Sequence, residues 1–405
     1  MSLIVQKFGG TSVGDINRIK NVAQKIKREV ENGNKVAVVV SAMSGVTNQL
    51  VSYCDSITTL YDAREYDAIV SSGEQVSSGL LALALQEVGI PARSFLGWQI
   101  PIITDDAFGK ARIDDIKSDI LNKVIADGIV PVVSGFQGVT KDNRITTLGR
   151  GGSDTSAVAL AVALNADRCD IYTDVDGVYS ADPRIVSKAK LLKRVSYEEM
   201  LEMASLGSKV LQTRSVEFAM KYGVCLRVLS SFQGGEGTIV CDEEEIVEKE
   251  IISGVTYSRN EAKITLVGVE DKPGVSANIF GKLSNANISV DMIVQNISED
   301  GKTTDLTFTV EKTDFERALN VLNDAENGIV YSRLISDKEV VKVSVIGVGM
   351  KSHVGVASTM FKALADQGIN IEVISKSEIK ISVLIAEKFT ELALRSLHTA
   401  YNMDA

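Results

Sequence analysis

The chain has 405 residues, enough for two or three domains, and its 45% apolar content supports full cores. A net charge of −10 without a basic stripe excludes a nucleic-acid binder; no apolar run reads as a membrane span, and MSLIVQKFGG has no signal-peptide pattern. Only His353 and His398 are histidines, so the first 352 residues cannot build a Ser-His-Asp or Cys-His site or a His-ligated metal, and Cys54, Cys169, Cys225 and Cys241, with no CxxC pair, fit a reduced cytoplasm.

Leu3–Val5 reads as a short first strand, followed by KFGGTSVG from Lys7 to Gly14. Ile16, Ile19, Val22, Ala23, Ile26 and Val30 then recur at helical spacing, and Gly33 ends the helix. Strand, glycine loop, helix is an arrangement that cradles phosphate, here with one lysine in the loop; a solvated lysine beside a tight turn is the competing reading. As a loop residue, Lys7 is expected to be removable without loss of the fold. VAVVV before Ser41 is a second buried strand, and residues 41–48 are its exit loop. SSGE at 71–74 leads into a helix over 75–87; Glu74 either serves the helix dipole or receives an ammonium group.

Residues 129–134 form another apolar strand, and 155–166 a helix. Between them lies TLGRGGSD at 147–154, which puts Ser153 and Asp154 at a helix start with a planar arginine fork at Arg150. A plain capped glycine turn is the alternative there. Strand 171–173 precedes the polar loop Asp174–Arg184, whose carboxylates suit Mg²⁺, ribose hydroxyls or simply turns. Ser196 and Glu199 form a capping box, a second helix runs to Gly223, and Val224–Leu229 is a further strand. Alternating strands and helices to about residue 240 mean a mainly parallel sheet covered on both faces.

The acidic stretch 242–250 reads as a linker, with a boundary near residue 245. Beyond it the chain repeats itself. ITLVGV…KPGVSANIF answers VSVIGV…SHVGVASTMF, and Ile288–Asp291 answers Ile369–Glu372. The first copy closes with a strand at 328–334, whereas the second has none after 392–401. A surplus strand at 251–257 is therefore expected to complete the second module, making the two intertwined. Side by side, the modules are expected to pair edges and form pockets at the seam.

Phosphoryl transfer needs positioning and charge stabilisation more than covalent work. A carboxylate acceptor is already ionised at neutral pH, its reference pKa being roughly 4. Such a reaction needs no histidine base, only a lysine for the phosphate, glycine amides and an aspartate to orient the cations. Lys7, Gly9, Gly10, Gly152 and Asp154 could supply these.

KFGGTSVG at 7–14, SSGE at 71–74, GFQGVTKDNRITTLGRGGSDTSA at 135–157 and YTDVDGVYSADPR at 172–184 together resemble aspartokinase, and the repeats, with DKPGVS at 271–276 and MKSH at 350–353, resemble ACT domains. The resemblance implies an αβα sandwich of the amino-acid-kinase type over 1–245, then two ferredoxin-like ACT modules over 246–405. The first module would span about 263–335, and the second about 342–405 plus strand 251–257. It implies ATP-dependent phosphorylation of the β-carboxylate of L-aspartate, the first step towards lysine, threonine and methionine, with Mg²⁺ and no side-chain metal cage. Carried over by position, Lys7 and Asp154 would be catalytic, and Thr47, Glu74, Arg150 and Ser153 would bind aspartate. The nucleotide would fall to Lys7, Phe8, Gly9, Gly10, Thr173, Asp174, Tyr179, Asp182, Arg184, Lys209 and Val210. Lysine or threonine would bind at Asp271, Lys272, Pro273, Gly274, Val275, Ser276, Ser289, Val290, Asp291 and Gln295. The matching positions in the second module are Val356, Ala357, Asn370, Ile371, Ser377 and Glu378. The family often has Asn at 289 and SHPG at 352–355, where this chain has Ser289 and Ser352-His353-Val354-Gly355. The implied assembly is a homo-oligomer through the ACT half, with room for a short ACT-only subunit. A glutamate- or acetylglutamate-type kinase and a non-catalytic amino-acid sensor are the competing readings. SSGE with GRGGSD and two ACT modules argue against the first; intact Lys7, Glu74, Arg150 and Asp154 argue against the second.

Overall fold

The computed structural model describes residues 2–205, 210–246, 250–297, 302–324 and 328–404. The chain divides into two compact units, Met1–Val178 with Leu191–Glu248, and Tyr179–Lys190 with Lys249–Ala405.

In the first unit an eight-stranded sheet runs in the order Arg194–Ser196, Thr238–Cys241, Leu226–Ser230, Arg168–Thr173, Leu3–Phe8, Lys35–Val40, Val130–Ser134, Ala92–Phe95. Neighbours are parallel except Leu226–Ser230 with Thr238–Cys241. Strands Lys35–Val40 and Val130–Ser134 read as near-continuous apolar runs because helices cover both faces. On one face Ile19, Val22 and Ile26 of helix Ile16–Glu31, with Leu81 and Leu85 of helix Ser72–Glu87, pack on Phe8, Val36, Val38 and Val40. Helix Gly152–Ala163 lies against the other. Alternation along Leu3–Phe8 turns Phe8 to the first face and Lys7 to the second, where helix Gly152–Ala163 begins. By length and composition Ala63–Glu87 could cross a membrane, which the reading of apolar runs did not count. Its Leu81, Ala82 and Leu85 are core residues, so the stretch serves as a core element.

A second sheet, Ile113–Ile116, Ile102–Thr104, Gln137–Val139, Ile145–Thr147, went unread in the sequence. Buried Asp67 anchors it. Its carboxylate accepts from the Gly109 amide, from the Thr147 amide at 2.8 Å and from the Thr147 hydroxyl at 2.7 Å. Arg214 donates to the Leu148 and Ala111 carbonyls at 3.0 and 2.9 Å. These bonds hold both ends of the segment leading into Gly149–Gly152. The expected capping box is formed: Glu199 N–H donates to Ser196 Oγ, and Ser196 N–H to Glu199 Oε2 at 3.0 Å.

In the second unit, strand Gly254–Ser258 pairs antiparallel with Val340–Ile346 in a sheet completed by Lys380–Ala386 and Val373–Lys376. The other sheet orders Val290–Ile297, Thr303–Val310, Ala262–Glu270 and Arg333–Asp337. The surplus strand thus completes the second module, and the modules are intertwined as expected. Gly274 and Gly355, at φ +95° and +91°, open the equivalent helices Val275–Asn285 and Val356–Asp366.

Within the described residues of one chain, the modules do not pair edge to edge. The two sheets remain separate four-stranded sheets. Their contact is made by side chains: Met292 and Val294 cluster with Val340, Val373 and Leu384. Lys342 reaches Glu261 and Asp291, each at 2.6 Å, and Lys263 reaches Glu372. Face contact wins because residues 340, 342 and 344 alternate with the module core at 341, 343 and 345 and are buried as well. Burial works to lower the pKa of Lys342, but the carboxylates of Glu261 and Asp291 overcome it and leave it raised.

Candidate active site

The C-terminal ends of adjacent parallel strands are where open α/β sheets bind ligands, above all where strand order reverses. Here the order departs in both directions from Leu3–Phe8, towards Lys35–Val40 on one side and Arg168–Thr173 on the other. Gly9–Gly10, Ser41–Ala42, Ser134–Gly135 and Thr173–Asp174 leave the sheet together at that edge.

Lys7 is the next-to-last residue of its strand, not a loop residue, and only 8% exposed. Its Nζ lies 2.6 Å from Asp154 Oδ1. This corrects the expectation of a freely removable surface lysine. Asp154 is in the first turn of helix Gly152–Ala163, which the left-handed Gly151 (φ +73°) opens. The Gly152 and Asp154 amides bond back within the turn, to Gly149 and Gly151. Gly9 N–H donates to the Tyr172 carbonyl at 3.2 Å, and Phe8 stacks on Tyr172 with centroids 4.6 Å apart. A Cβ at Gly10 would come within 2.9 Å of the Ala42 carbonyl oxygen, and one at Gly135 within 2.9 Å of Ser153 Cβ and Oγ. The glycines therefore let chain segments close up around Lys7.

Glu74 is 3% exposed. Its Oε1 accepts from the Ala42 amide at 2.9 Å, while buried Oε2 has no hydrogen-bond partner among the described residues. Burial pushes its carboxyl up to about 7, against the pull of the Ala42 amide. A buried carboxylate oxygen left unpaired is costly unless a ligand cation meets it. Ser153 is buried, Thr47 half-buried near the start of helix Val46–Ile57, and Arg150 exposed.

Of the residues expected at the nucleotide, Thr173 and Asp174 lie at the strand end beside Phe8–Gly10. Sequence reasoning missed Ser231, whose Oγ sits 2.5 Å from Ser12 Oγ and whose amide donates to the Thr173 carbonyl at 2.8 Å. It also missed Ala42, Asp67 and Arg214, whose roles depend on backbone groups and long-range contacts. Val210 is among the described residues, and Lys209 lies outside them. Tyr179, Asp182 and Arg184 belong to the second unit. There Arg184 clamps Asp182 through Nε at 3.0 Å and Nη2 at 2.8 Å, and Tyr257 donates to the same carboxylate.

Of the effector positions, Asp271, Lys272, Pro273 and Gly274 form the exposed turn before helix Val275–Asn285. Ser276 Oγ lies 3.5 Å from Gln295 Oε1. Asp291 is engaged by Lys342, Ser289 is exposed, and Val290 is in a strand. Val356 and Ala357 start the second module's helix, Asn370 and Ile371 follow it, and Ser377 and Glu378 form an exposed hairpin turn.

A family model described as the amino acid kinase family matches residues 2–230, and an ACT domain model matches 264–325 and 343–401. Fold and models together define an amino acid kinase carrying ACT domains. Aspartate kinase of Pseudomonas putida is 56% identical over 100% of this chain and 98% of its own length, and aspartokinase of Helicobacter pylori J99 is 49% identical over 99% and 100%. The crystal structure of Escherichia coli aspartokinase III with aspartate and ADP superposes with a TM-score of 0.82 at 26% identity, over 98% of this chain and 99% of that one. The same enzyme with lysine and aspartate gives 0.79 at 27%, with the same coverage. This chain belongs to the aspartokinases.

Proposed function

We propose that the first unit transfers the γ-phosphoryl group of ATP to the β-carboxylate of L-aspartate at the strand ends around Lys7. The observation that carries the assignment of residues is the buried Lys7–Asp154 pair beside Gly9 and Gly10, with the unpartnered Glu74 oxygen at the next strand exit.

A β-carboxylate oxygen forms the new P–O bond as the bond to the β,γ-bridging oxygen breaks and ADP leaves; no proton moves. Asp154 takes one Lys7 donor and fixes the ammonium, leaving two for the phosphoryl oxygens. Glu74 takes the α-ammonium of aspartate, Arg150 clamps a carboxylate in its planar fork, and Thr47 and Ser153 add hydroxyls. Phe8, Gly9, Gly10, Thr173, Asp174, Lys209 and Val210 take the nucleotide. ATP is expected as its Mg²⁺ complex, the ion carried on the phosphates and neutralising their charge.

The ACT modules bind lysine, threonine or both as feedback effectors. Asp271 offers a full negative charge to an ammonium, and Ser276 and Gln295 already meet. The enzyme acts in the cytoplasm as a homo-oligomer joined through its ACT half, alone or with an ACT-only subunit. An assay with Mg·ATP and aspartate, against glutamate as control, titrated with lysine and threonine singly and together, tests the reading. Turnover with aspartate and inhibition lost in Asp271→Ala are expected; equal turnover with glutamate would overturn the substrate assignment.

A further inference from the structure

Arg150 stands on a turn between two left-handed glycines, Gly149 at φ +77° and Gly151 at φ +73°. The chain ahead of that turn is held by hydrogen bonds on both edges. Thr147 N–H donates to Asp67 Oδ2 at 2.8 Å, and the Thr147 hydroxyl to Asp67 Oδ1 at 2.7 Å. The Thr147 carbonyl accepts from Ala111 N–H at 2.9 Å, and Leu148 N–H donates to the Phe136 carbonyl at 2.9 Å. The Leu148 carbonyl accepts from Arg214 Nη1 at 3.0 Å. Asp67 also takes Gly109 N–H, at 3.0 Å to Oδ1 and 2.9 Å to Oδ2. A Cβ at Gly149 would come within 3.2 Å of the Gly109 carbonyl oxygen, so the loop that Asp67 captures lies directly against the turn.

Asp67 is fully buried and belongs to helix Ala63–Val70. That helix ends at Ser71, where helix Ser72–Glu87 begins with Glu74 in its first turn. One helical run over Ala63–Glu87 therefore carries both acids. Asp67 grips the segment before Arg150, and Glu74 faces the strand exit at Ala42. A second brace crosses the same joint. Gln137 Nε2 donates to the Ser71 carbonyl at 3.0 Å, and Gln137 stands opposite Thr147 in the small sheet. The helix start that holds Ser153 and Asp154 has an anchor of its own, Phe136 N–H donating to Ser156 Oγ at 3.1 Å. The donors to Asp67 among the described residues are neutral, and a carboxylate, which only accepts, can gather them on its two oxygens. Its work there is geometric.

We propose that Asp67 is a positioning residue for the amino-acid substrate: it sets the span between Glu74 and the turn that carries Arg150, and with it the fit of the ammonium and carboxylate of aspartate. This rests on the reading above that Glu74 and Arg150 take those groups. Asp67 itself touches no substrate, because Gly109 and Thr147 fill its oxygens. Arg150 is exposed, so the reach of its guanidinium depends on where the backbone places it.

The test is steady-state kinetics on the full-length enzyme, with KM for aspartate and for ATP measured separately. Asp67→Ala should raise KM for aspartate about tenfold or more, the loss expected when buried hydrogen bonds go, and leave KM for ATP within about twofold. Asp67→Asn should recover most of that loss. Its amide oxygen can accept from the Gly109 and Thr147 N–H groups, and its NH₂ can donate to the Thr147 hydroxyl, which rotates to accept. Thr147→Val removes only the hydroxyl and should raise KM for aspartate about threefold; it carries the test if Asp67→Ala does not fold. Arg150→Ala separates the two layers. If it raises KM for aspartate while Asp67→Ala and Thr147→Val do not, the positioning role is overturned and the substrate reading stands. If Arg150→Ala leaves KM for aspartate unchanged, the substrate reading fails and takes the proposal with it. Because Asp67 acts through the Arg150 turn, adding Asp67→Ala or Thr147→Val to Arg150→Ala should raise KM for aspartate little further. Additive losses would overturn the proposal, as would equal losses for both substrates without recovery in Asp67→Asn.

Discussion

At Lys7 a charge sits inside the protein with one partner, and that decides how its removal will look. Truncating either member of a buried pair leaves the other uncompensated, at about 3–5 kcal/mol. Lys7→Ala is therefore expected to lose both turnover and several kcal/mol in urea melts. Lys7→Met combined with Asp154→Asn should recover most of the stability and none of the activity; recovered turnover would remove Lys7 from the chemistry. Glu74 makes a second test, through pH. Its folded-state pKa of about 7 lies above the usual carboxylate value of 4.5. The sign follows: the protonated form is favoured in the folded state. Its contribution to stability is fully present below about 4.5 and lost as pH rises through about 7, a change of roughly 3 kcal/mol as an upper figure. Ligand-free enzyme should lose more Tm between pH 5 and 8 than Glu74→Gln does. Aspartate's ammonium needs the ionised form, so KM for aspartate should fall as pH rises through 7, and a Glu74→Gln profile of the same shape would refute the contact. Lys7, Glu74 and Asp154 were legible in the sequence because each stands near glycines, Lys7 at a strand end and Glu74 and Asp154 in the first turn of a helix. Asp67 and Arg214 were not, because their partners are backbone groups or residues far along the chain.

Elements were legible where periodicity is long and ends are marked. Apolar VAVVV, the capping box at Ser196 and the glycines opening Val275–Asn285 and Val356–Asp366 all announce themselves. The strands of the second small sheet have three or four residues each, too few for any period to show. The loop 179–190 read as polar turn chemistry; only Ala181, Ile185, Val186 and Ala189, scattered among polar residues, hinted that one side is buried. The close approach of strand exit and helix start gives the prediction at this scale. Gly135→Ala places a methyl 2.9 Å from Ser153 Cβ and 3.0 Å from Val39 Cγ1. Overpacking of this kind costs about 1–3 kcal/mol. The start of helix Gly152–Ala163 should shift and carry Asp154 with it, so kcat should fall at least tenfold. Wild-type kcat with wild-type stability would show that the helix start has slack.

For the molecule as a whole, the sequence repeat predicted the strand exchange, because counting strands left one surplus before and one missing after. It did not predict how the modules meet. Lys263 and Lys342 occupy the same place in the two copies, as do Asp291 and Glu372. The structure pairs each lysine with the other copy's carboxylate, Lys263 with Glu372 and Lys342 with Asp291. The duplication thus closes on itself through crossed charges. Lys342 also neutralises buried Glu261, so Lys342→Met should cost about 3 kcal/mol or more, and Lys342→Met with Glu261→Gln should cost less. Additive losses in a double-mutant cycle would deny the coupling. The exchanged strand has a consequence for the order in which the chain can fold. Gly254–Ser258 leaves the ribosome early, yet its partner Val340–Ile346 emerges only after the whole first module has been made. The first module can close on local pairings while that strand waits as an open edge, the kind of surface that pairs with a neighbouring chain. Synthesis through residue 346 is therefore the interval in which this protein is most exposed to misassembly, and the second module is bound to form last.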